Sequence, residues 1–190
     1  MTGAALPREF YARPTVDVAR DLLGMQLIHR VDGTVRRGRI VEVEAYVGAH
    51  DLASHSSRGV TPRTSVMYGP PGHAYVYLIY GMHHCVNVVT EPAGHGAAVL
   101  LRALEPLDSL AGNTRGPGLL CRTMGITLAR NGIDLTGDVL FITLPPEAER
   151  FEIVQSARVG VAYAGDWADA PLRFSIAGNP YVSRASGSRR

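Results

Sequence analysis

Glu42, Glu44 and Tyr46 stand two residues apart in the stretch Arg39-Ile-Val-Glu-Val-Glu-Ala-Tyr-Val-Gly48. The stretch is rich in Val and Ile and alternates with period two, which predicts a β-strand. Alternate side chains of a strand share a face. Two carboxylates and a phenol therefore stand on one side, and Val41, Val43 and Ala45 on the other. Gly48 ends the strand, and His50, Asp51 and His55 follow in a loop. Far along the chain, Arg102 interrupts the apolar run Ala97-Ala-Val-Leu-Leu-Arg-Ala-Leu104. A guanidinium in such a run requires an anionic or hydrogen-bonding partner. Carboxylates, imidazoles and a buried cation can carry acid–base or metal chemistry. The plain alternative is a half-exposed edge strand with solvated glutamates.

The metal alternative would use His50, Asp51, His55, His83, His84 and Glu44 among the seven histidines. No HxxxH-type or Cys/His pairing supports it, and the adjacent His83 and His84 would alternate across a strand. No metal and no cofactor is expected.

The elements that must hold these side chains can be read in order. Residues 1–10 read as a loose lead-in. A helix opens at Pro14-Thr15, with Thr15 as its cap, Val18, Ala19, Leu22 and Leu23 as its apolar stripe, and Gly24 at its end. Met25 to Val31 reads as a strand, Asp32-Gly33 as a tight hairpin turn, and Thr34 to Val47 as the partner strand. Residues 48–72 read as a long irregular loop, of the kind that usually serves function. A second hairpin runs from His73 to Tyr80, turns near Gly81-Met82 and returns from His84 to Val89. Ala97 to Leu104 reads as a central strand buried on both faces. Gly116-Pro117-Gly118 starts a helix that ends at Gly125. Residues 131–144, 157–163 and 172–177 read as further strands. The fold class is α+β: one compact domain over 1–190, with a curved, mostly antiparallel sheet, a protruding hairpin and a few short helices.

An apolar fraction of 46% and a charged fraction of 19% describe an ordinary globular chain, and 21 Gly with 12 Pro favour turns over long helices. No apolar run reaches the roughly 18 residues of a membrane span, and the first residues lack the apolar centre of a signal peptide. A cytosolic protein is expected, and Cys85 and Cys121 read as reduced, buried thiols. The 19 Lys and Arg residues are all Arg, so a lysine Schiff base is excluded and only the N-terminal amine is left as a candidate. Arg36, Arg37 and Arg39 form one basic patch, and residues 184–190 a second.

The words EAYVG at 44–48, His55, YVYLIYGM at 75–82, Asn87, LLRALEP at 100–106, RVGVAYAG at 158–165 and PLRF at 171–174 occur in this order. Together they resemble the alkyladenine (3-methyladenine) DNA glycosylases of the mammalian methylpurine type, over about residues 8–183. That family hydrolyses the N-glycosidic bond of damaged purines in double-stranded DNA. The resemblance implies Glu44 as the base that activates water, with Arg102 ordering that water. It implies a base pocket of Tyr46, His55, Tyr77 and Asn87, and a duplex wedge at Tyr80 with Met82 beside it. Glu42 is left to structure, as an ion-pair partner, and Tyr75 to packing. A monomer that repairs DNA in the cytoplasm or nucleoid is expected. The contrasting class is a damaged-base binding module that does not cut; it would lack the carboxylate.

Chemistry supports those types. Base extrusion costs a few kcal/mol, and an aromatic wedge can hold the stack open. Stacking of the extruded base contributes about 1–3 kcal/mol per base. Tyr77 and Asn87 can be direct cross-strand partners only in a register centred on Met82, so an odd-length turn is expected; an even one would put them on opposite faces. Arg58, Arg63 and the Gly116-Pro117 helix start are assigned as phosphate contacts.

Overall fold

The fold is organised around its longest strand, in a computed structural model that describes residues 3–108 and 110–183. The first hairpin joins β1 (Gln26–Val31) to β2 (Thr34–Tyr46) through Asp32 and Gly33, both at positive φ (50° and 71°). A two-residue turn of that hand matches the twist of the flanking strands. The second hairpin joins β3 (Ala74–Ile79) to β4 (His83–Thr90), and β5 (Ala97–Pro106) follows. Later come β6 (Leu140–Thr143), β7 (Ile153–Ser156) and β8 (Arg173–Ile176). The sheet order is β3-β4-β5-β2-β1-β6, with β8 added against β2 and β7 against β8. Each of these pairings is antiparallel.

One edge of β2 bonds to β5 from Gly38 to Tyr46. Its other edge changes partner, from β1 along residues 34–39 to β8 along 42–44. The glutamates sit where that change occurs. Residues 40–45 are fully buried on both faces, so β2 is a central strand and not an edge. The sheet curls into a half-barrel of a single domain.

Among the described residues three α-helices flank it: α1 (Arg8–Tyr11), α2 (Thr15–Leu22) and α3 (Pro117–Met124). Val18, Ala19 and Leu22 of α2, and Leu120, Cys121 and Met124 of α3, bury their faces in the core with Ile40, Leu101 and Phe174. Each such apolar side chain contributes about 1.5–3 kcal/mol by leaving water. Gly125 takes the left-handed conformation (φ 72°) that ends α3.

Several expectations are corrected. Residues 5–11 are docked, not loose: Leu6 N donates to Ile142 O, and Tyr11 is fully buried. Thr15 is the first residue of α2 and not its cap. Its amide and hydroxyl both donate to Glu91 Oε1 (3.1 and 2.5 Å), so the helix start is closed from the end of β4. Only residues 140–143 of the span 131–144 form a strand. Residues 157–163 form none; the strand lies earlier, as β7. Gly160 at φ 78° breaks the extension, and Val159 N donates to a side chain instead of a ladder. The basic patch on β2 is neutralised: Arg37 pairs with Asp108, Arg39 with Glu105 and Glu149, and Arg36 donates to Thr123 O. The basic segment 184–190 lies outside the described residues. Among the described residues, no helix is long and apolar enough to cross a membrane.

Candidate active site

The two carboxylates have separate surroundings. Glu44 Oε1 accepts the Val159 amide at 2.7 Å and faces Arg102 Nη1 at 3.2 Å; its Oε2 accepts Tyr46 Oη at 2.8 Å. Glu42 Oε1 accepts from Arg102 Nε (3.1 Å), Arg173 Nε (2.7 Å) and Ser183 Oγ (2.9 Å), and its Oε2 accepts Ser183 N (2.6 Å). Arg102 thus spans both glutamates. The β2–β5 register is irregular between Ile40 and Val43, opposite the stretch of β5 that carries Arg102. Burial opposes the Arg102 charge, but Glu44 and Glu42 more than offset this and hold the guanidinium above its ordinary value.

A cavity of about 260 Å³ opens on this face, lined by Tyr46, His55, Tyr75, Tyr77, Asn87 and Arg102 among others. Its walls belong to two small apolar clusters. Tyr46 packs with Ala53, Val161, Ala164 and Trp167; Tyr75 and Tyr77 pack with Met67, Val89 and Ala98. The His55 ring lies 4.6 Å from Tyr77, edge to face, and its Nδ1 is 2.9 Å from Tyr75 Oη. Tyr75, assigned to packing from sequence, therefore fixes the His55 ring and lines the cavity.

The β3–β4 turn is odd in length, as expected, but it is centred on Gly81 and not Met82. Asn87 consequently opposes Tyr75, and Tyr77 opposes Cys85. Asn87 and Tyr77 still share a face, as diagonal neighbours. Asn87 Nδ2 donates to Tyr75 O at 3.0 Å, which anchors the amide to β3.

At the hairpin tip Tyr80 has φ 52°, uncommon for a bulky residue, and is 86% exposed; Met82 is 68% exposed. Such backbone conformations cost free energy and cluster at functional sites. Arg63 lies 5.2 Å from the Tyr77 ring centre and donates to Leu78 O. Arg58 and Arg63 line a second depression that shares His55 with the cavity, and Pro117 at the start of α3 borders the cavity itself. The residues of the metal alternative do not converge. Among the described residues, no three His, Cys, Asp or Glu side chains form a group that could hold an ion.

Comparison with known proteins bears on this arrangement. A family model described as methylpurine-DNA glycosylase matches residues 9–180. The chain belongs to this family. A relative from Legionella pneumophila (strain Lens), provisionally named a 3-methyladenine DNA glycosylase, is 55% identical over 94% of this chain and 98% of its own. Relatives with the same provisional name from Anaeromyxobacter sp. (strain Fw109-5) and Myxococcus xanthus (strain DK1622) are 56% and 51% identical, over 97% and 94% of this chain and 95% and 93% of theirs.

Within this member of the methylpurine-DNA glycosylase family, sequence reasoning missed the pairing of Arg158 with Asp51, a residue named only for the metal alternative. Asp51 accepts from Arg158 Nη1 (2.5 Å) and Nη2 (2.8 Å), with both side chains fully buried. The Arg158 guanidinium also lies 4.7 Å from the centre of the Tyr46 ring, and the next residue supplies the amide held by Glu44. No local pattern marks this pair, whose members are 107 positions apart.

Two histidines make stability depend on pH. Burial, then the charges of Arg63 and Arg58, lower the His55 pKa to about 4. Burial also lowers that of His29, whose Nδ1 bonds Met124 O and whose Nε2 accepts from Arg130. Both are neutral in the fold at pH values where the unfolded chain, with an ordinary His pKa of about 6.5, takes up a proton. The unfolded state then binds more protons, so the contribution of both is present above about pH 6.5 and declines as pH falls below it, that of His55 being lost toward pH 4. Urea midpoints should fall steadily across this window, and His55→Gln should flatten part of the slope. Parallel profiles for the two proteins would refute the assignment to His55.

Proposed function

We propose that the protein is a DNA glycosylase that extrudes alkylated or deaminated purines from duplex DNA and hydrolyses their N-glycosidic bond, acting as a monomer. The observation that carries this reading is the position of the Glu44 carboxylate, fully buried in contact with Tyr46, Val159 and Arg102, which line an aromatic-walled cavity. Tyr46 on one wall and Tyr77 with His55 on the other would stack the extruded base, while neutral His55 offers no charge to repel a cationic purine. Asn87 would meet the edge of the base. Tyr80, with Met82, would enter the gap in the duplex. Arg58, Arg63 and the start of α3 would contact phosphates.

In the reaction, a water oxygen bonds to the sugar C1′ as the C1′–N9 bond (or its equivalent) breaks. The bonding pair leaves with the purine, and Glu44 takes the proton from the water while its charge stabilises the oxocarbenium-like state. Arg102 orders that water from the other side.

The test is incubation with duplexes that each carry 7-methylguanine, hypoxanthine or ethenoadenine. Release of free base and an intact abasic site is expected, unchanged by EDTA. Tight binding of the damaged duplex without base release would instead make the protein a binding module. Because the chain contains no lysine, borohydride should trap no protein–DNA adduct; a trapped adduct would refute the monofunctional mechanism.

A further inference from the structure

We propose that Glu42 is a positioning residue for the reaction, acting through Arg102. The proposal rests on the reading of Glu44 as the base. Glu42 is fully buried on the same strand as Glu44 and accepts four hydrogen bonds, from Arg102, Arg173 and both the amide and hydroxyl of Ser183. A guanidinium prefers to grip a carboxylate with two parallel N–H bonds. Left to itself, Arg102 would turn both of its facing N–H groups onto Glu44 and cover the oxygens a water needs. Glu42 holds Arg102 by Nε, so Nη1 alone faces Glu44, at 3.2 Å.

Charge leads to the same assignment. Glu42, Glu44, Arg102 and Arg173 form a buried set of two negative and two positive groups. Removal of the Glu42 charge leaves Arg102 with Glu44 as its one carboxylate partner, which draws the guanidinium onto the oxygens that must meet the water. Ser183 keeps Glu42 in place from the far end of the described chain.

The experiment compares single-turnover excision of hypoxanthine, and binding of an uncut damaged duplex, for Glu42→Gln, Arg102→Gln and the double variant. Glu42→Gln is expected to slow excision at least 10-fold with less than 3-fold change in binding. In the Arg102→Gln background the same substitution should change the rate less than 2-fold, because members of one unit are not additive. A full 10-fold loss in that background would mean a separate structural role and overturn the proposal, as would wild-type excision by Glu42→Gln. Should Glu42→Gln fail to fold, Glu42→Gln/Arg173→Gln removes one charge of each sign and the same criteria apply. Glu44→Gln run in parallel separates the two readings: its retained activity would defeat the base assignment itself, whereas an inactive Glu44→Gln beside a fully active Glu42→Gln defeats only the positioning role.

Discussion

Glu44→Gln is expected to lower single-turnover excision of hypoxanthine by roughly 10²–10⁴-fold, the usual contribution of a positioned general base. The substitution keeps the volume of a side chain that is fully buried, so the change isolates the chemistry. Glutamine can still accept the Val159 amide, but it can neither take a proton from water nor oppose developing positive charge. Binding of the damaged duplex should stay within about 3-fold, because Tyr46, His55 and Tyr77 remain to stack the base. The loss should be smaller on 7-methylguanine, a leaving group that already carries positive charge. Undiminished excision of hypoxanthine by the variant would remove Glu44 from the role of base.

Asp51→Asn should have the largest effect on stability. Asp51 and Arg158 are both fully buried, with two short N–H···O bonds between them. Asp51 also accepts the amides of Ala53 and Val47. Loss of one partner from a buried pair leaves an uncompensated charge and costs about 3–5 kcal/mol. For a chain of this size that amounts to a fall in Tm on the order of 10 °C. Calorimetry of wild type, Asp51→Asn, Arg158→Met and the double variant provides the check. The double variant should lose less than the sum of the singles. A Tm for Asp51→Asn within about 2 °C of wild type would contradict the burial argument. Excision should also fall well below the new Tm, since the same arginine backs the Tyr46 ring and precedes Val159.

Much of the frame was legible because its signals are local. The Asp32-Gly33 turn, the alternation of β2, the apolar run of β5 and the Pro117–Gly125 bracket of α3 each follow from neighbours in sequence. The same locality misled elsewhere. Residues 157–163 alternate like a strand, yet their backbone serves Glu44, and nothing in the heptapeptide itself reveals that. The centre of the second hairpin lies one residue earlier than expected, which moves the pairing by two residues and keeps the faces, because the tip holds Tyr80 and Gly81 at positive φ. Arg36, Arg37 and Arg39 looked like a free basic patch because the acidic partners of Arg37 and Arg39, and the Thr123 carbonyl that accepts from Arg36, lie far downstream. Candidate residues from one strand or hairpin were visible; the ion pairs that hold them were not, since each joins distant parts of the chain.

The change of partner along β2 has a consequence for biogenesis. Glu44 pairs across the backbone with Leu100 on one edge and Arg173 on the other, and Glu42 is closed by Ser183. The counter-ions of the two buried carboxylates thus come from residues 102 and 173, far downstream of the strand. A nascent polypeptide on the ribosome can form the first hairpin early, but it cannot bury Glu42 and Glu44 until residues beyond 173 have emerged. Synthesis order therefore lays down the strand that bears the carboxylates early, yet leaves its surroundings incomplete until residues 173–183 are in place.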